Sequence, residues 1–430
     1  PPPPPPPPPF NETATTEIYT GDTSSAASDV YKRQYLGLVD LFGNGVPGII
    51  GDNDPLLIAN NQDMESIAVY FDGSYNFADT WTFSGGIRYT QEEKDFFSRP
   101  GAPTALAYGV GPGALPFDGN DTSKYPCDVS NPIDCQTDSE KWTEPTYRVL
   151  LANEFSEELY GYASFSHGFK SGGYSDQAGS ALPLPLAVTR YDPEQADSFE
   201  LGLKWDFWDG RGRLNTALFY VEYEDMQRAT LVTTSDGFQE TVVFNAAEVE
   251  AYGIELETTI LLVDGLTLQA NLGWLDSEYK DFDLDLDLDP STDPVSLAGN
   301  DVTRAPELNA GLDLTWVYPA NWGELRAIAG VYYEDESTNY YAVDAASPGF
   351  PGGTPVPEFN TTLQERTLVN ASLTYTHPSR NWYIAAFGKN LTDERYRNAS
   401  QYVGGLWTFS TYAEPRVWGV ELGARFGNSK

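Results

Sequence analysis

The amino-acid sequence predicts an all-β fold, a transmembrane antiparallel β-barrel, on three observations: alternating strands, a rhythm of short and long connections, and many aromatic residues. The segment Gly265–Trp274 shows the alternation. Its apolar residues are Leu266, Leu268, Ala270, Leu272 and Trp274, and the residues between them are Thr, Gln, Asn and Gly. Because successive side chains in a strand point to opposite faces, one face of this segment is apolar and the other polar. Repeated strands of this kind, about 9–11 residues or longer, are typical of a barrel that crosses a bilayer.

Thirteen such strands are legible, and all but the last form pairs joined by short turns. They are predicted at Ser66–Tyr75, Trp81–Phe97, Tyr147–Glu154, Leu159–Phe169, Glu200–Phe207, Arg213–Glu224, Tyr252–Ile260, Gly265–Tyr279, Leu308–Val317, Glu324–Tyr333, Thr367–Tyr375, Trp382–Tyr396 and Arg416–Phe426. The connections between pairs are long, at 98–146, 170–199, 225–251, 280–307, 334–366 and 397–415. Bacterial barrels show this rhythm, with tight periplasmic turns and extended external loops. Because such barrels have even strand numbers, at least one further strand is expected ahead of the first.

The composition agrees with a barrel and excludes a transmembrane helix. Aromatic residues make up 14% of the chain, with 27 Tyr and 10 Trp, the residue types that form girdles at lipid–water boundaries. A soluble lectin or propeller rich in aromatic residues is the alternative on composition alone. The longest aliphatic run, Ile260–Val263, falls far short of the roughly 18 apolar residues that a membrane helix needs.

The charge excludes nucleic acid as a partner. The formal net charge is −38, and a phosphate backbone would be repelled by it. In the segment Asp281–Pro290 acidic residues alternate with apolar ones, so Asp283, Asp285 and Asp287 lie on one face as a weak candidate for Ca²⁺ binding. The other interpretation is a solvated loop edge. No cofactor and no other metal site is predicted.

The two cysteines and two histidines indicate structure rather than catalysis. Cys127 and Cys135 lie in a polar loop and are expected to form a local disulfide in an oxidising compartment, the alternative being two free thiols. With only His167 and His377 in the chain, a Cys/His zinc site is excluded. No serine has a base and an orienting acid at motif spacing, so we predict that the protein is not an enzyme.

The domain organisation is predicted as a leader, a barrel and a tail. Residues 1–35 contain the proline run Pro1–Pro9 and a stretch without strand or helix period, and they are excluded from fold reasoning. Residues 36–63 are interpreted as a loop or the remnant of an upward strand, 64–426 as the barrel, and 427–430 as a tail. Because an exported barrel needs a signal peptide and none is visible, the chain is expected to lack its true beginning.

Five segments resemble the β-barrel of TonB-dependent outer-membrane receptors. The most specific patterns are N-A-x-x-x-x-x-x-G-I-E and K-N-L-T-D-x-x-Y. The segments are Asn245–Glu257, Gly265–Phe282, Arg304–Trp316, Phe387–Asn398 and Glu414–Phe426. The resemblance implies a 22-stranded barrel around an N-terminal plug, preceded by a box that contacts the TonB complex. Neither plug nor box is seen, so the chain is expected to be a C-terminal portion with about 13–14 of those strands.

The resemblance also implies a location, a function and partners. The protein is expected in the outer membrane of a Gram-negative bacterium, in contact with the lipid bilayer and lipopolysaccharide. Its expected function is import of a scarce ligand, with a ferric siderophore as the leading class. The last strand resembles the signal read by barrel-assembly machinery, carried by Trp418, Val420, Leu422 and Phe426. In most of the family that aromatic residue is terminal, whereas residues 427–430 follow it here.

Aromatic residues in the long connections are the candidates for ligand contact. One connection carries Tyr340, Tyr341 and Phe350, and another carries Tyr402, Trp407 and Phe409. Their rings offer flat surfaces to a ligand. The alternative is that they pack the loops together or belong to an upper girdle. Two other functions stay open from the sequence: a passive porin-like channel without a plug, and a secreted glycan-binding β-protein.

Overall fold

The computed structural model describes residues 59–99, 136–175, 189–233, 239–284, 295–340, 361–403 and 407–425. Within these ranges no helix has the length and hydrophobicity needed to cross a membrane. The strands are β1 Ala59–Asn76, β2 Trp81–Arg99, β3 Gln136–Ser156, β4 Leu159–Lys170, β5 Gly173–Tyr174, β6 Arg190–Tyr191, β7 Glu194–Phe207, β8 Gly212–Thr233, β9 Gln239–Val263, β10 Leu266–Leu284, β11 Val295–Ser296, β12 Leu308–Ala320, β13 Gly323–Glu334, β14 Ser337–Thr338, β15 Thr362–Leu363, β16 Arg366–Thr376, β17 Trp382–Lys389, β18 Arg397–Val403, β19 Trp407–Tyr412 and β20 Val417–Ala424.

One large antiparallel sheet holds the long strands in chain order. The order is β1-β2-β3-β4-β7-β8-β9-β10-β12-β13-β16-β17-β20, and β11 adds to the end of β10. These thirteen strands are the ones predicted from alternation, so the predicted fold class is confirmed. Among the described residues β1 pairs only with β2, and β20 pairs only with β17. The expected total of 22 strands stays a prediction.

The alternating connections give the sheet two different ends. We call the end with tight turns, such as that at Trp208–Arg211, the short-turn end, and the other the long-loop end. At the long-loop end, three small two-stranded sheets are formed by β5–β6, β14–β15 and β18–β19. The predicted rhythm of short and long connections therefore holds except between β8 and β9, where only residues 234–238 separate the two strands.

Several predicted boundaries at the long-loop end are wrong. Residues 225–251, expected as a connection, are largely strand, because β8 continues to Thr233 and β9 already begins at Gln239. The strand predicted to reach Tyr396 ends at Lys389, because Asn390 (φ 50°) and Asp393 (φ 58°) adopt left-handed backbone conformations that end a strand. Residues 397–415, also expected as a connection, contain the hairpin of β18 and β19.

One face of the sheet, the apolar face, carries large exposed hydrophobic side chains. Strand register aligns Ala163, Leu201, Leu218, Ile254 and Trp274 across five neighbouring strands. Leu201 is 57% exposed and Leu218 is 49% exposed. A continuous apolar surface of this kind needs an apolar solvent or a partner to cover it.

Toward the long-loop end, an aromatic row and then an acidic row follow on the same face. The aromatic row consists of Phe165, Phe199, Tyr220 and Tyr252, which are cross-strand neighbours. The acidic row, two residues further along these strands, consists of His167 followed by Asp197, Glu222, Glu250 and Glu278. Like charges placed opposite each other are unfavourable, and Lys280 offsets part of this by contacting Glu250 (2.9 Å) and Glu278 (3.2 Å). The apolar surface of these strands therefore ends at the aromatic row.

The opposite, polar face carries a recurring tyrosine joint. The ring of Tyr162 lies over Gly202, and its hydroxyl donates to Glu200. A Cβ at Gly202 would overlap that ring, so this close packing requires glycine. The joint recurs between other strands, in the sets Tyr332–Gly311–Asp313 and Tyr383–Gly423–Glu421.

Candidate functional site

A cluster of three buried aromatic residues fixes the β5–β6 hairpin to the polar face. Phe96 of β2 and Tyr174 of β5 stack with ring centroids 4.5 Å apart, and Trp142 of β3 meets Tyr174 edge-on at 6.3 Å. The hydroxyl of Tyr174 donates to Asp138 (3.0 Å), and burial raises the pKa of that hydroxyl. This aromatic cluster therefore packs the start of the connection after β4 against strands β2 and β3.

Charged groups surround the aromatic cluster. Lys94 is buried, donates to the carbonyl of Gly172, and lies 5.5 Å from the ring centroid of Trp142. Burial lowers the pKa of the Lys94 amine because desolvation disfavours its charged form. On the hairpin, Arg190 pairs with Glu140 of β3 at 2.5 Å. Both cations therefore hold backbone or side chains of the hairpin in place.

Asn245, the first residue of the N-A motif, holds the far end of the same connection. Its side-chain oxygen accepts from the backbone N–H of Asp192 (2.6 Å), and its amide donates to the carbonyls of Asp192 (2.7 Å) and Asp225 (2.9 Å). The buried Gln227 adds bonds to the carbonyls of Ser171 (3.0 Å) and Asp192 (3.0 Å). Strands β8 and β9 thus close the connection between β4 and β7 with side-chain amides.

A second core, the apolar cluster, lies where β8, β9 and β10 extend furthest. Tyr279 is its centre, 1% exposed, with its ring 4.7 Å from that of Phe282. The segment after β11 covers it, since Leu297 donates its N–H to Phe282 and Gly299 donates to Tyr279. The full set is Met226, Ala247, Val249, Tyr279, Phe282 and Leu297.

Three other connections meet in what we call the polar junction, formed by Arg304, Asn339, Thr361 and Ser400. The side chain of Asn339 accepts from Nε of Arg304 (3.1 Å) and donates to the carbonyl of Ser400. Its backbone N–H donates to the carbonyl of Thr361 (2.6 Å). Asn339 and Ser400 are both buried. The loops after β10, β13 and β17 therefore share one hydrogen-bonded node.

Asn390, in the K-N-L-T-D motif, organises the turn that leads into the β18–β19 hairpin. It is buried, accepts from the N–H of Glu394 (2.8 Å) and donates to the carbonyl of the same residue (2.8 Å). Its own N–H donates to Asn370 of β16 (2.9 Å). Asn245, Arg304 and Asn390 were all inside the recognised segments, but their loop-holding roles were not predicted from the sequence.

The structure describes only part of the predicted ligand-contact set. Tyr340 directly follows Asn339 and is half-buried, whereas Phe409 of β19 is 49% exposed. Tyr402 and Trp407 lie in the paired strands β18 and β19 rather than in an irregular loop. The polar junction brings the Tyr340 loop against this hairpin. Two further candidates, Tyr341 and Phe350, lie outside the described residues.

The other predicted sites fall largely outside the described ranges. Asp283 is exposed at the end of β10, where it pairs with Ser296 of β11. Trp418, Val420 and Leu422 project from the apolar face of β20 and are 77%, 68% and 73% exposed. No group of three or more metal-ligating side chains occurs in the described part of the chain. Outside it lie Asp285, Asp287, Cys127, Cys135 and Phe426.

A cavity of about 280 Å³ lies at the short-turn end, lined by residues that include Arg380, Trp382, Tyr383 and Arg425. It is widely open and lies at the opposite end of the strands from the polar junction. It contains none of the predicted ligand-contact residues.

Comparison with known proteins now identifies the fold. The family described as "TonB dependent receptor-like, beta-barrel" matches residues 7–391, nearly the whole chain. The chain belongs to this family. It is therefore a β-barrel protein of the outer membrane of Gram-negative bacteria, and the sequence resemblance and the predicted location are confirmed. In such barrels the short turns are periplasmic and the long loops extracellular, so the polar junction lies on the extracellular side.

Curated relatives match a limited part of the chain. PiuA of Acinetobacter baumannii, named as a TonB-dependent siderophore receptor, is 30% identical over 146 residues, 34% of this chain and 18% of PiuA. CntO of Pseudomonas aeruginosa, named as a metal-pseudopaline receptor, is 28% identical over 133 residues, 31% of this chain and 17% of CntO. The chain thus matches less than a fifth of the length of either relative.

Solved structures match more of the chain by fold. The ferric yersiniabactin uptake receptor FyuA of Yersinia pestis superimposes with a TM-score of 0.60 at 18% identity, covering 85% of this chain and 46% of FyuA. The crystal structure of PiuA gives a TM-score of 0.57 at 19% identity, covering 85% of this chain and 43% of PiuA. At these identities the likeness shows the family fold alone.

Proposed function

We propose that this chain is the barrel portion of an outer-membrane receptor that imports a scarce metal complex, and that the complex is a ferric siderophore. The observation that carries the proposal is the polar junction, which unites three extracellular loops beside the aromatic residues Tyr340 and Phe409. The ligand class is supported by the names of PiuA, a siderophore receptor, and FyuA, a ferric yersiniabactin uptake receptor. Family membership favours this function over a passive channel or a secreted glycan-binding protein.

The proposed partners follow from the same family. Energy for import would come from the TonB complex, contacted through an N-terminal segment ahead of residues 64–426. The apolar face would contact the lipid bilayer and lipopolysaccharide, and β20, with Trp418, Val420 and Leu422 on that face, would be read by barrel-assembly machinery. The barrel would need no cofactor of its own and would carry out no catalysis.

The test is binding of ferric complexes to the 430-residue chain refolded in detergent. Ferric tris-catecholate, tris-hydroxamate and citrate complexes are titrated while tryptophan fluorescence is followed, with each iron-free ligand as control. We expect one ferric complex to bind and Phe409→Ala to weaken that binding, because the ring is exposed beside the junction. Binding of none of them, or equal binding of the iron-free ligands, would contradict the proposal.

A complex of another metal is the second candidate. CntO is named as a receptor for a metal–pseudopaline complex, and the copper transporter OprC shares the fold with a TM-score of 0.55. Nickel and copper complexes of an aminocarboxylate chelator therefore form a second arm of the same titration. Binding in that arm alone would replace iron by another metal and leave the receptor function standing.

A further inference from the structure

We propose that Asn339 is a positioning residue of the ligand site, which fixes the loop carrying Tyr340 against the hairpin carrying Phe409. This inference rests on the proposed function, because it assigns a role within the same site. Asn339 is 8% exposed, so its side chain works inside the loop assembly rather than on the ligand surface. Its position, directly before Tyr340, gives any movement of Asn339 an immediate effect on that ring.

The hydrogen bonds of Asn339 divide between separate connections. Its side-chain oxygen accepts from Arg304, in the loop after β10, and its side-chain nitrogen donates to the carbonyl of Ser400, in β18. Arg304 is anchored in turn, because its N–H donates to the carbonyl of Thr338 (2.7 Å). An amide is the side chain suited to this node, since it offers a donor and an acceptor at once.

The link to Ser400 reaches Phe409 through the hairpin. Ser400 pairs with Ser410 across β18 and β19, and their hydroxyls are 3.1 Å apart. Phe409 is the residue next to Ser410 and pairs with Gln401. One cross-strand pair and one residue along β19 therefore separate Ser400, which Asn339 contacts, from Phe409. Asn339 therefore ties the loop that carries Tyr340 to the hairpin that carries Phe409, which limits the ordering that a ligand must impose when it binds.

Asn339→Asp tests the link to the hairpin specifically. The carboxylate keeps the acceptor for Arg304 but removes the donor to Ser400 and places a negative oxygen against its carbonyl. The matched control is Asn300→Asp, which introduces the same charge in a neighbouring loop where Asn300 donates to Leu297 of its own loop (2.8 Å). Both variants are made in the full chain.

Two readouts separate the positioning role from the proposed function. Amide hydrogen exchange of residues 397–403 and 407–412 is expected to be about tenfold faster in Asn339→Asp and unchanged in Asn300→Asp, because the lost bond anchors these two strands. The dissociation constant of the ferric complex that binds the wild-type chain is expected to rise about tenfold in Asn339→Asp alone.

Each other outcome overturns part of the assignment. Unchanged exchange in Asn339→Asp would show that the two loops are not joined through this residue. Faster exchange with unchanged affinity would make Asn339 a structural contact without a positioning role. If Asn300→Asp changed the exchange and the dissociation constant equally, the added negative charge would explain both effects, and no specific role of Asn339 would remain. If no metal complex binds the wild-type chain, the proposed function and the positioning role fall together, while exchange still decides whether Asn339 joins the loops.

Discussion

The first and second halves of the sheet reach the extracellular side by different means. In the long-strand region, β1 to β10, most main strands extend outward themselves, and β8 and β9 have 22 and 25 residues. The exception is β4, which has 12 residues. In the short-strand region, β12 to β20, strands β17 and β20 have only 8 residues each, and loops continue outward in their place. The long strands bury the apolar cluster around Tyr279 and hold the connection after β4 with the buried amide of Gln227. The short strands support the buried amides of Asn339 and Asn390.

This difference shows two solutions to one problem. Beyond the bilayer the backbone must still satisfy its hydrogen bonds, and a strand does so through its neighbours in the sheet. A loop lacks that ladder and needs side-chain amides such as Asn339 and Asn390 instead. Apolar packing tolerates some displacement, but a hydrogen-bonded node is directional and fixes one geometry. Under the proposed function, the short-strand region would therefore be the better platform for aromatic groups that must meet a ligand in a defined arrangement.

The largest effect is expected in the long-strand region, at Tyr279→Ala. Removing this fully buried ring leaves a cavity and should cost about 3–5 kcal/mol in the free energy of unfolding. Leu272→Ala is the control, because Leu272 lies in the same strand but is 39% exposed on the apolar face. Chemical unfolding in detergent micelles measures both. Equal losses would mean that the apolar cluster does not stabilise the strand extensions.

Asn390→Ala should have the next largest effect, in the short-strand region. It removes the side-chain bonds to Glu394 and leaves alanine in a left-handed conformation (φ 50°). The cost should be about 2–4 kcal/mol, as the sum of unmet hydrogen bonds and backbone strain. Asn390→Gly separates the two, because glycine relieves the strain without restoring the bonds. If both variants cost the same, strain plays no part at this turn.

The tyrosine joint should behave alike in both regions. Gly202→Ala in the long-strand region and Gly423→Ala in the short-strand region each push a Cβ into a tyrosine ring, Tyr162 or Tyr383. Each should lose about 1–3 kcal/mol, and the two losses should agree closely, because the regions differ only at their outer ends. Unfolding of both variants under one condition checks this. If only one of the two variants lost stability, the long-strand and short-strand regions would differ in the middle of their strands as well as at their outer ends.

Ion pairs should give the smallest effects. Arg148 of β3 contacts Asp72 of β1 at 3.0 Å, but the two side chains are 63% and 46% exposed, so Asp72→Asn should cost less than about 0.5 kcal/mol. The pair of Arg366 and Glu334 in the short-strand region is less exposed, at 20% and 36%. Glu334→Gln should therefore cost more than Asp72→Asn, and the reverse order in unfolding measurements would contradict this comparison.

The sequence predicts the membrane-spanning parts of the strands well, because lipid forces strict alternation there. Alternation weakens where a strand leaves the bilayer, so the sequence predicts a connection at residues 225–251 although β8 and β9 pair across most of them. The early end of β17 at Lys389 depends on the left-handed backbone conformation of Asn390, which an alternating pattern does not report. Asn339 and Ser400 are 61 residues apart, and no local pattern announces their contact.

On each of these strands, the step from the aromatic row to the acidic row of the apolar face defines how deeply the strand can enter the bilayer. In β8, for example, Tyr220 marks the limit of immersion and Glu222 must stay above it. A hairpin that paired out of register would set its aromatic residues against a neighbour's acids, and a strand inserted too deeply would carry a carboxylate into hydrocarbon. A wrong register or a wrong depth therefore costs free energy while the chain inserts. Each strand with these two rows restricts the register and the depth that its next neighbour can adopt.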